Sequence, residues 1–324
     1  MTTEFARRRL HSLLGLWLVL FLFEHLFVNS QAALLLGDNA RGFVHLVNDL
    51  HNLPYLQVIE IVLLGVPLAA HAIWGIQALL KSKSNAHRTD GASPDMSQYG
   101  RNRAYTWQRL SSWVLLVGIV LHVAKFRFME YPDSVNLGDK ASYFVVVSVD
   151  KGLYTVASRL GATLYGPQQI AAERKELASR RGEETLVAVA ESLPSQNLFD
   201  PQTQMVLTSA QSYEQKKAWQ EVLERQNIGP NQVVAVSPDF GIATLLTVRD
   251  VFKNPIYGVL YTIFVLAACF HGLNGLWTFL ITWGIVLKVS AQKMALKVSW
   301  TLMGLVTFLG LAAIWGTYFL NLKS

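Results

Sequence analysis

Residues 11–33 read HSLLGLWLVLFLFEHLFVNSQAA, and this run decides the fold. A bilayer core about 30 Å thick takes roughly 20 largely apolar residues per helix, which the run supplies. Arg7, Arg8 and Arg9 precede it in the manner of a signal peptide. The apolar run is longer than a signal core, no small-residue cleavage pattern follows, and Glu24 and His25 sit in its middle. It is therefore read as the first of five membrane helices. The others cover about Tyr55–Leu80, Trp107–Phe126, Ile256–Leu287 and Val298–Leu320. The short connection between the fourth and fifth predicts an antiparallel hairpin.

Composition agrees with this reading. Of 324 residues, 52% are hydrophobic and only 15% charged, where a soluble domain is about one quarter charged. A mean hydropathy of +0.29 is too low for membrane from end to end, so a polar remainder is expected. The aromatic content of 11% disfavours a disordered chain. The single cysteine, Cys269, excludes covalent c-type haem, a four-thiolate zinc site and an iron-sulfur cluster held by this chain alone.

Lysine and arginine in the short flanks set the orientation. Arg7–Arg9, then Lys81, Lys83, Arg88, Arg101, Arg103 and Arg109, then Lys288, Lys293 and Lys297 mark one side as cytoplasmic. The first connection, with Arg41 beside Asp38 and Asp49, and the C-terminus, with Lys323, go outside. The N-terminus is inside and the C-terminus outside. The pI near 9.3 then reflects cytoplasmic flanks, and no nucleic-acid partner is expected.

The expected fold class is an all-α transmembrane five-helix bundle, with an extracytoplasmic α/β insert between helices three and four. The domain reading is 1–127 for helices one to three, 128–253 for the insert, and 254–324 for helices four and five. Two insert segments match at an offset of 89 residues: Val145, Val147, Ser148, Asp150, Gly152 and Thr155 recur as Val234, Val236, Ser237, Asp239, Gly241 and Thr244. Each copy predicts a β-branched strand, a turn at the Asp and Gly, and an apolar helix. Leu186–Ala190 offers a third short strand, and Gln168–Arg181 and Ser212–Arg225 read as charged, solvated helices. A docking or quinone-shielding module and an ornamental domain both remain open for it.

Titratable side chains in lipid are costly and are functional candidates by default. His25, His71, His122 and His271 fall one in each of helices one to four. One such histidine is explained by an interhelical hydrogen bond. Four suit two bis-histidine pairs for two b-type haems, held without covalent attachment. At about 1.5 Å of rise per residue, His25 and His122 both lie about 20 Å from the inner edge, and His71 nearer 14 Å. Depth pairs His25 with His122 and leaves His71 with His271 by elimination. Ala69, Ala70, Gly75, Gly118, Ala268, Gly272 and Gly275 flank these positions, which suits either a flat macrocycle or ordinary small-residue helix packing.

Weaker candidates surround the four. His11, Ser12 and Arg109, at the inner ends of helices one and three, are candidates for holding haem propionates, with a snorkelling interfacial anchor as the alternative for Arg109. Glu60, 11 residues before His71, is a candidate quinone or proton group, with His45, Asp49 and His51 in the adjoining loop. His87 reads as a loop residue and Cys269 as a small apolar filler.

At these residues the sequence resembles a known family. The segments Arg8–Gly15, Glu24–Asn29, Pro67–Gly75, Trp107–Arg109 and His271–Trp277 look like the five-helix, two-haem cytochrome b membrane anchor of succinate:quinone oxidoreductases, which include succinate dehydrogenase and fumarate reductase. The likeness covers the five helices with the four histidines in order and does not cover the insert. It implies a multi-pass subunit of the bacterial cytoplasmic (inner) membrane that anchors a flavoprotein and an iron-sulfur subunit at the cytoplasmic face. FAD and iron-sulfur clusters would belong to those partners, and this chain would hold no substrate-oxidising or catalytic residue. The resemblance further implies electrons passing from the iron-sulfur subunit to an inner haem on His71 and His271, to an outer haem on His25 and His122, and on to quinone, with menaquinone the expected type. Family members also run in reverse as fumarate reductases. A b-type cytochrome subunit of another quinone-linked dehydrogenase is an alternative, as is a histidine-relay transporter without haem. Against the transporter, the halves show no inverted repeat and Pro67 is the one intramembrane break.

Overall fold

The computed structural model describes residues 3–34, 40–81, 96, 98–138, 140–192 and 200–323. In chain order its helices and strands begin with α1 (Thr3–Leu34), α2 (Arg41–His51), α3 (Leu56–Lys81) and α4 (Gly100–Met129). There follow β1 (Asp133–Leu137), β2 (Lys140–Ser148), α5 (Leu153–Leu160), β3 (Thr163–Tyr165), α6 (Pro167–Ser179), α7 (Glu184–Ser192), α8 (Pro201–Arg225) and β4 (Gln232–Ser237). The last are α9 (Phe240–Phe252), α10 (Pro255–Thr282) and α11 (Val289–Leu320). The chain divides into a helical unit, Met1–Phe128 with Phe252–Leu320, and a mixed unit, Met129–Val251 with Asn321–Ser324. Asp38, Lys83, His87 and Arg88 lie outside the described residues.

In the helical unit, five helices are long and apolar enough to cross a membrane: most of α1 (Glu4–Ala33), and α3, α4, α10 and α11. Three of them start well before their apolar cores. α1 begins at Thr3 instead of His11, α4 at Gly100 instead of Trp107, and α11 at Val289 instead of Val298. Arginine, lysine and glutamine are good helix formers, so the polar flanks continue the helix that hydropathy alone does not see. α10 ends at Thr282, short of Leu287. Gly284, two residues on, has φ +71°, the left-handed conformation that stops a helix. The connection expected as a loop around His45, Asp49 and His51 is a helix, α2. Burial, followed by the charge of Arg127, holds the His51 imidazole below its ordinary pKa.

Close helix crossings use small residues. A Cβ on Gly310 would stand 2.6 Å from Val265 Cγ1, and one on Gly316 2.6 Å from Ala33 Cβ. Pro67 creates a different requirement. It has no N–H for the carbonyl of Leu63 four residues earlier, and lipid offers no water to replace it. The backbone widens into a π-helical turn over Glu60–Gly65, and the indole Nε1 of Trp17 on α1 donates to Leu63 O at 2.5 Å. Trp17→Phe is therefore expected to cost about 1–3 kcal/mol by orphaning that carbonyl. Thermal unfolding of the detergent-solubilised chain checks it, and an unchanged midpoint would show that the carbonyl finds another donor.

The mixed unit holds an antiparallel sheet in the order β1-β2-β4-β3. The repeat explains its centre. Val145 pairs with Ala235 and Val146 with Val234, and the 89-residue offset makes Val145 equivalent to Val234 and Val146 to Ala235. Each pair therefore maps onto the other, so the two copies meet about a local twofold axis between β2 and β4. Phe144, Val234 and Val236 on one face bury with Trp219 and Leu223 of α8. Val145, Val147, Val233 and Ala235 alternate to the other face and are also buried. Asp200 caps α8 by accepting from Thr203 N at 3.0 Å, with Pro201 at the first helical position.

One expected strand is overturned. Leu186–Ala190 lies within helix α7, where the leucine, alanine and glutamate of ETLVAVAES outweigh two β-branched valines. The strand expected there is supplied elsewhere, by Thr163–Tyr165, three residues that are too few to show a period. β1, with polar residues at alternate positions, was equally inconspicuous. The two charged segments are helical, as α6 and the C-terminal half of α8, but the second is not solvated all round, since Tyr213, Trp219, Gln220 and Leu223 are buried, Trp219 and Leu223 in the unit's core.

Candidate histidine sites

Helix starts set the positions of His25 and His122 along α1 and α4. Because α1 and α4 extend upstream by eight and seven residues, His25 and His122 each lie 22 residues into their helices. The structure brings their rings to a centroid separation of 5.7 Å with planes at 85°. His71 and His271 stand 6.3 Å apart with planes at 82°. Among the described residues no three His, Cys, Asp or Glu side chains converge as a metal centre, so the available donor sets are imidazole pairs.

Three of the four rings have a polar partner at Nδ1. His71 Nδ1 donates to the backbone carbonyl of His11 at 3.1 Å. His271 Nδ1 donates to the carbonyl of Gln108 at 3.3 Å and lies 3.4 Å from Ser111 Oγ. A carbonyl only accepts, so in both residues Nδ1 carries the proton and Nε2 keeps its lone pair. His122 Nδ1 lies 3.2 Å from the hydroxyl of Tyr261. Partners of this kind orient metal-ligating histidines. With metal–imidazole bonds of about 2 Å, two rings on opposite sides of one iron have centres roughly 6 Å apart, which both pairs match. The donor chemistry and spacing of each pair fit imidazole ligation of a haem iron, which the two histidines of the pair would hold.

Side chains from several helices build this arrangement. Gln108 Nε2 donates to His271 O at 2.9 Å, and its Oε1 accepts from Asn274 Nδ2 at 2.7 Å, tying α4 to α10. The His11 ring stacks on His71 at 4.2 Å, and its Nε2 is buried without a hydrogen-bond partner. The glycines divide between two uses. A Cβ at Gly15 would meet His71 Cε1 at 3.0 Å and one at Gly75 would meet His11 Nε2 at 3.6 Å, so these clear space at the histidines. At Gly118 the space is filled by Phe264 and at Gly272 by Val19 and Leu22, which is helix packing.

The weaker candidates fall in distinct places. Ser12 is partly buried next to His11. Arg109 lies nine residues inside α4, not at its end, because the helix begins at Gly100. It donates to Leu79 O at 3.3 Å and its guanidinium lies 5.9 Å from the Tyr105 ring centre. Glu60 accepts from Arg127 at 2.6 Å in an ion pair joining the π-helical turns of α3 and α4. His11, Arg7, Arg8, Trp74, Lys81 and Tyr105 line a cleft of about 390 Å³.

Sequence reading missed Gln108, Ser111 and Tyr261 as partners of the histidines. For Tyr261 a signal existed: it precedes His271 by ten residues, about 15 Å along the helix. A phenol within an apolar span needs a polar partner, and His122 is at hand.

The fold and site together define a protein with five candidate membrane helices carrying two paired-imidazole sites. The chain is similar to the succinate dehydrogenase cytochrome b558 subunit of Bacillus subtilis (strain 168), with 34% identity over 125 residues. The match covers 38% of this chain and 56% of that protein, so the chain spans little more than half the length of the relative. No protein-family model matches, and no solved structure matches.

Proposed function

We propose that the chain is the cytochrome b membrane-anchor subunit of a succinate dehydrogenase, an integral protein of the bacterial inner membrane. Two histidine pairs, each spaced for one iron with Nδ1 partnered in three of the four rings, carry this reading, and the similarity to the cytochrome b558 subunit supports it. His25 with His122 would hold one haem b and His71 with His271 the other. When bound, the haems supply one-electron relay between an iron-sulfur partner and quinone, with menaquinone the expected quinone. The chain's own residues hold the His71 and His271 imidazoles in one tautomer and fix the spacing of both pairs.

Further roles follow from position. His11, Ser12 and Arg109 are proposed propionate contacts, His11 offering a buried ring nitrogen without a partner. Glu60, held by Arg127, is the proposed group for proton exchange near quinone. Lysine and arginine in the flanks argue for a cytoplasmic N-terminus, flavoprotein and iron-sulfur subunits docked on that side, and an insert on the other.

The test is a dithionite-reduced minus oxidised spectrum of the purified membrane complex with haem quantitation, repeated with succinate. Two b haems per chain, reduced at least in part by succinate, are expected. Absence of haem would sink the reading, and haem reduced by dithionite but not by succinate would point to another dehydrogenase partner or to fumarate reduction.

A further inference from the structure

We propose that Tyr261 is a positioning residue for His122, and that it sets the reduction potential of the His25/His122 centre apart from that of the other; this rests on the haem reading above. Tyr261 reaches His122 from α10, 139 residues away in sequence, with its hydroxyl 3.2 Å from Nδ1. The contact sits in an aromatic enclosure. Phe126 and Phe264 flank the His122 ring at 5.3 and 5.9 Å, and Phe252 packs on Tyr261 at 5.2 Å. Phe264 is held there by Gly118, where any Cβ would overlap its ring at 2.4 Å.

The two pairs thus differ at Nδ1: among the described residues both rings of the His71/His271 pair have a partner there, and in the His25/His122 pair His122 does. Both histidines of the His71/His271 pair donate Nδ1–H to backbone carbonyls. With its Nε2 on iron, His122 would instead donate Nδ1–H to a phenol oxygen, a weaker acceptor than an amide carbonyl. An acceptor at Nδ1 draws the proton, makes Nε2 a stronger donor to iron and favours the ferric state. The weaker acceptor leaves the His25/His122 centre the easier of the two to reduce, as far as this contribution goes. It also fixes the rotation of the His122 ring, whose plane stands at 85° to that of His25.

The test is Tyr261→Phe in the full chain purified from membranes. Its readouts are haem quantitation, a redox titration followed optically and the low-spin ferric electron paramagnetic resonance spectrum. We expect both haems retained. One titrating component should move to higher potential by about three- to tenfold in its reduction equilibrium, tenfold being about 59 mV for one electron. The same component should show an altered low-spin resonance, and the other should not move. Tyr261→Gln restores a stronger acceptor, so it should return the potential to the wild-type value or below. Phe264→Leu changes packing on the same ring without touching the hydrogen bond, and should leave the potential in place.

Unchanged potentials and resonance in Tyr261→Phe, with two haems present in the wild type, overturn this inference and leave the anchor reading intact. Equal shifts in Tyr261→Phe and Phe264→Leu also overturn it, because packing alone would then account for the effect. If Tyr261→Phe loses a haem outright, recovery in Tyr261→Gln supports the hydrogen bond and no recovery overturns it. A wild-type chain without haem overturns both readings together.

Discussion

Replacing His25 or His122 with alanine is expected to remove one and the same haem, and replacing His71 or His271 the other, so that each single variant falls from two haems per chain to one. The magnitude follows from the ligand count. A b haem has no covalent tether, so losing one of two axial imidazoles removes half of its metal bonds to protein, and even outer partners of metal ligands are worth about 10–100-fold in affinity. The ring separations of 5.7 and 6.3 Å make each pair a unit. Double variants within a pair should therefore be no worse than either single one, whereas a variant from each pair should leave the protein without haem. The measurement is pyridine haemochrome quantitation with optical redox titration on purified chain. Depletion of one common haem by both His25→Ala and His71→Ala would show the pairing to be wrong even with the haem count right.

The second large effect lies in the insert. Asp150 accepts both terminal nitrogens of Arg249, at 2.8 and 2.7 Å, and also the Gly152 N–H at 3.0 Å. The Arg249 side chain is only 9% exposed. Removing the carboxylate in Asp150→Ala takes the bidentate partner from a buried guanidinium and the cap from the turn that starts α5. Breaking such a buried pair costs about 3–5 kcal/mol. For a unit of this size that is a fall on the order of 10 °C in Tm, read by heating the full chain and following proteolysis within the insert. Asp150→Ala combined with Arg249→Met should recover much of the loss, since a buried ion pair is replaceable by apolar packing. A single variant costing less than about 1 kcal/mol would show that the pair is effectively solvated.

How much of this was legible beforehand depends on the range of the interaction concerned. The spans were legible because length and hydropathy are local properties, and the boundary errors, His11 for Thr3 in α1 and Trp107 for Gly100 in α4, were almost equal in size. Glu60 was noticed as a costly charge in an apolar stretch, yet its partner Arg127, 67 residues on, was not. Hydropathy registers that a residue is expensive without identifying what stabilises it. The strand expected at Leu186–Ala190 shows the limit for short segments, where the two valines alone do not outweigh good helix formers on either side.

By itself, the sequence determined five apolar spans, one histidine in each of the first four, and a repeated strand–turn–helix in the insert. These follow from the thickness of a bilayer, the cost of titratable groups in lipid and the periodicity of the backbone. The tertiary structure alone decided that Tyr261 meets His122, that His11 stacks on His71, that Trp17 serves the carbonyl orphaned by Pro67, and that the two repeats pair about a local axis. Each of these depends on the rotation of one helix about its axis or on the register of one strand against another. Packing between segments far apart in the chain fixes those quantities, and no local pattern encodes them.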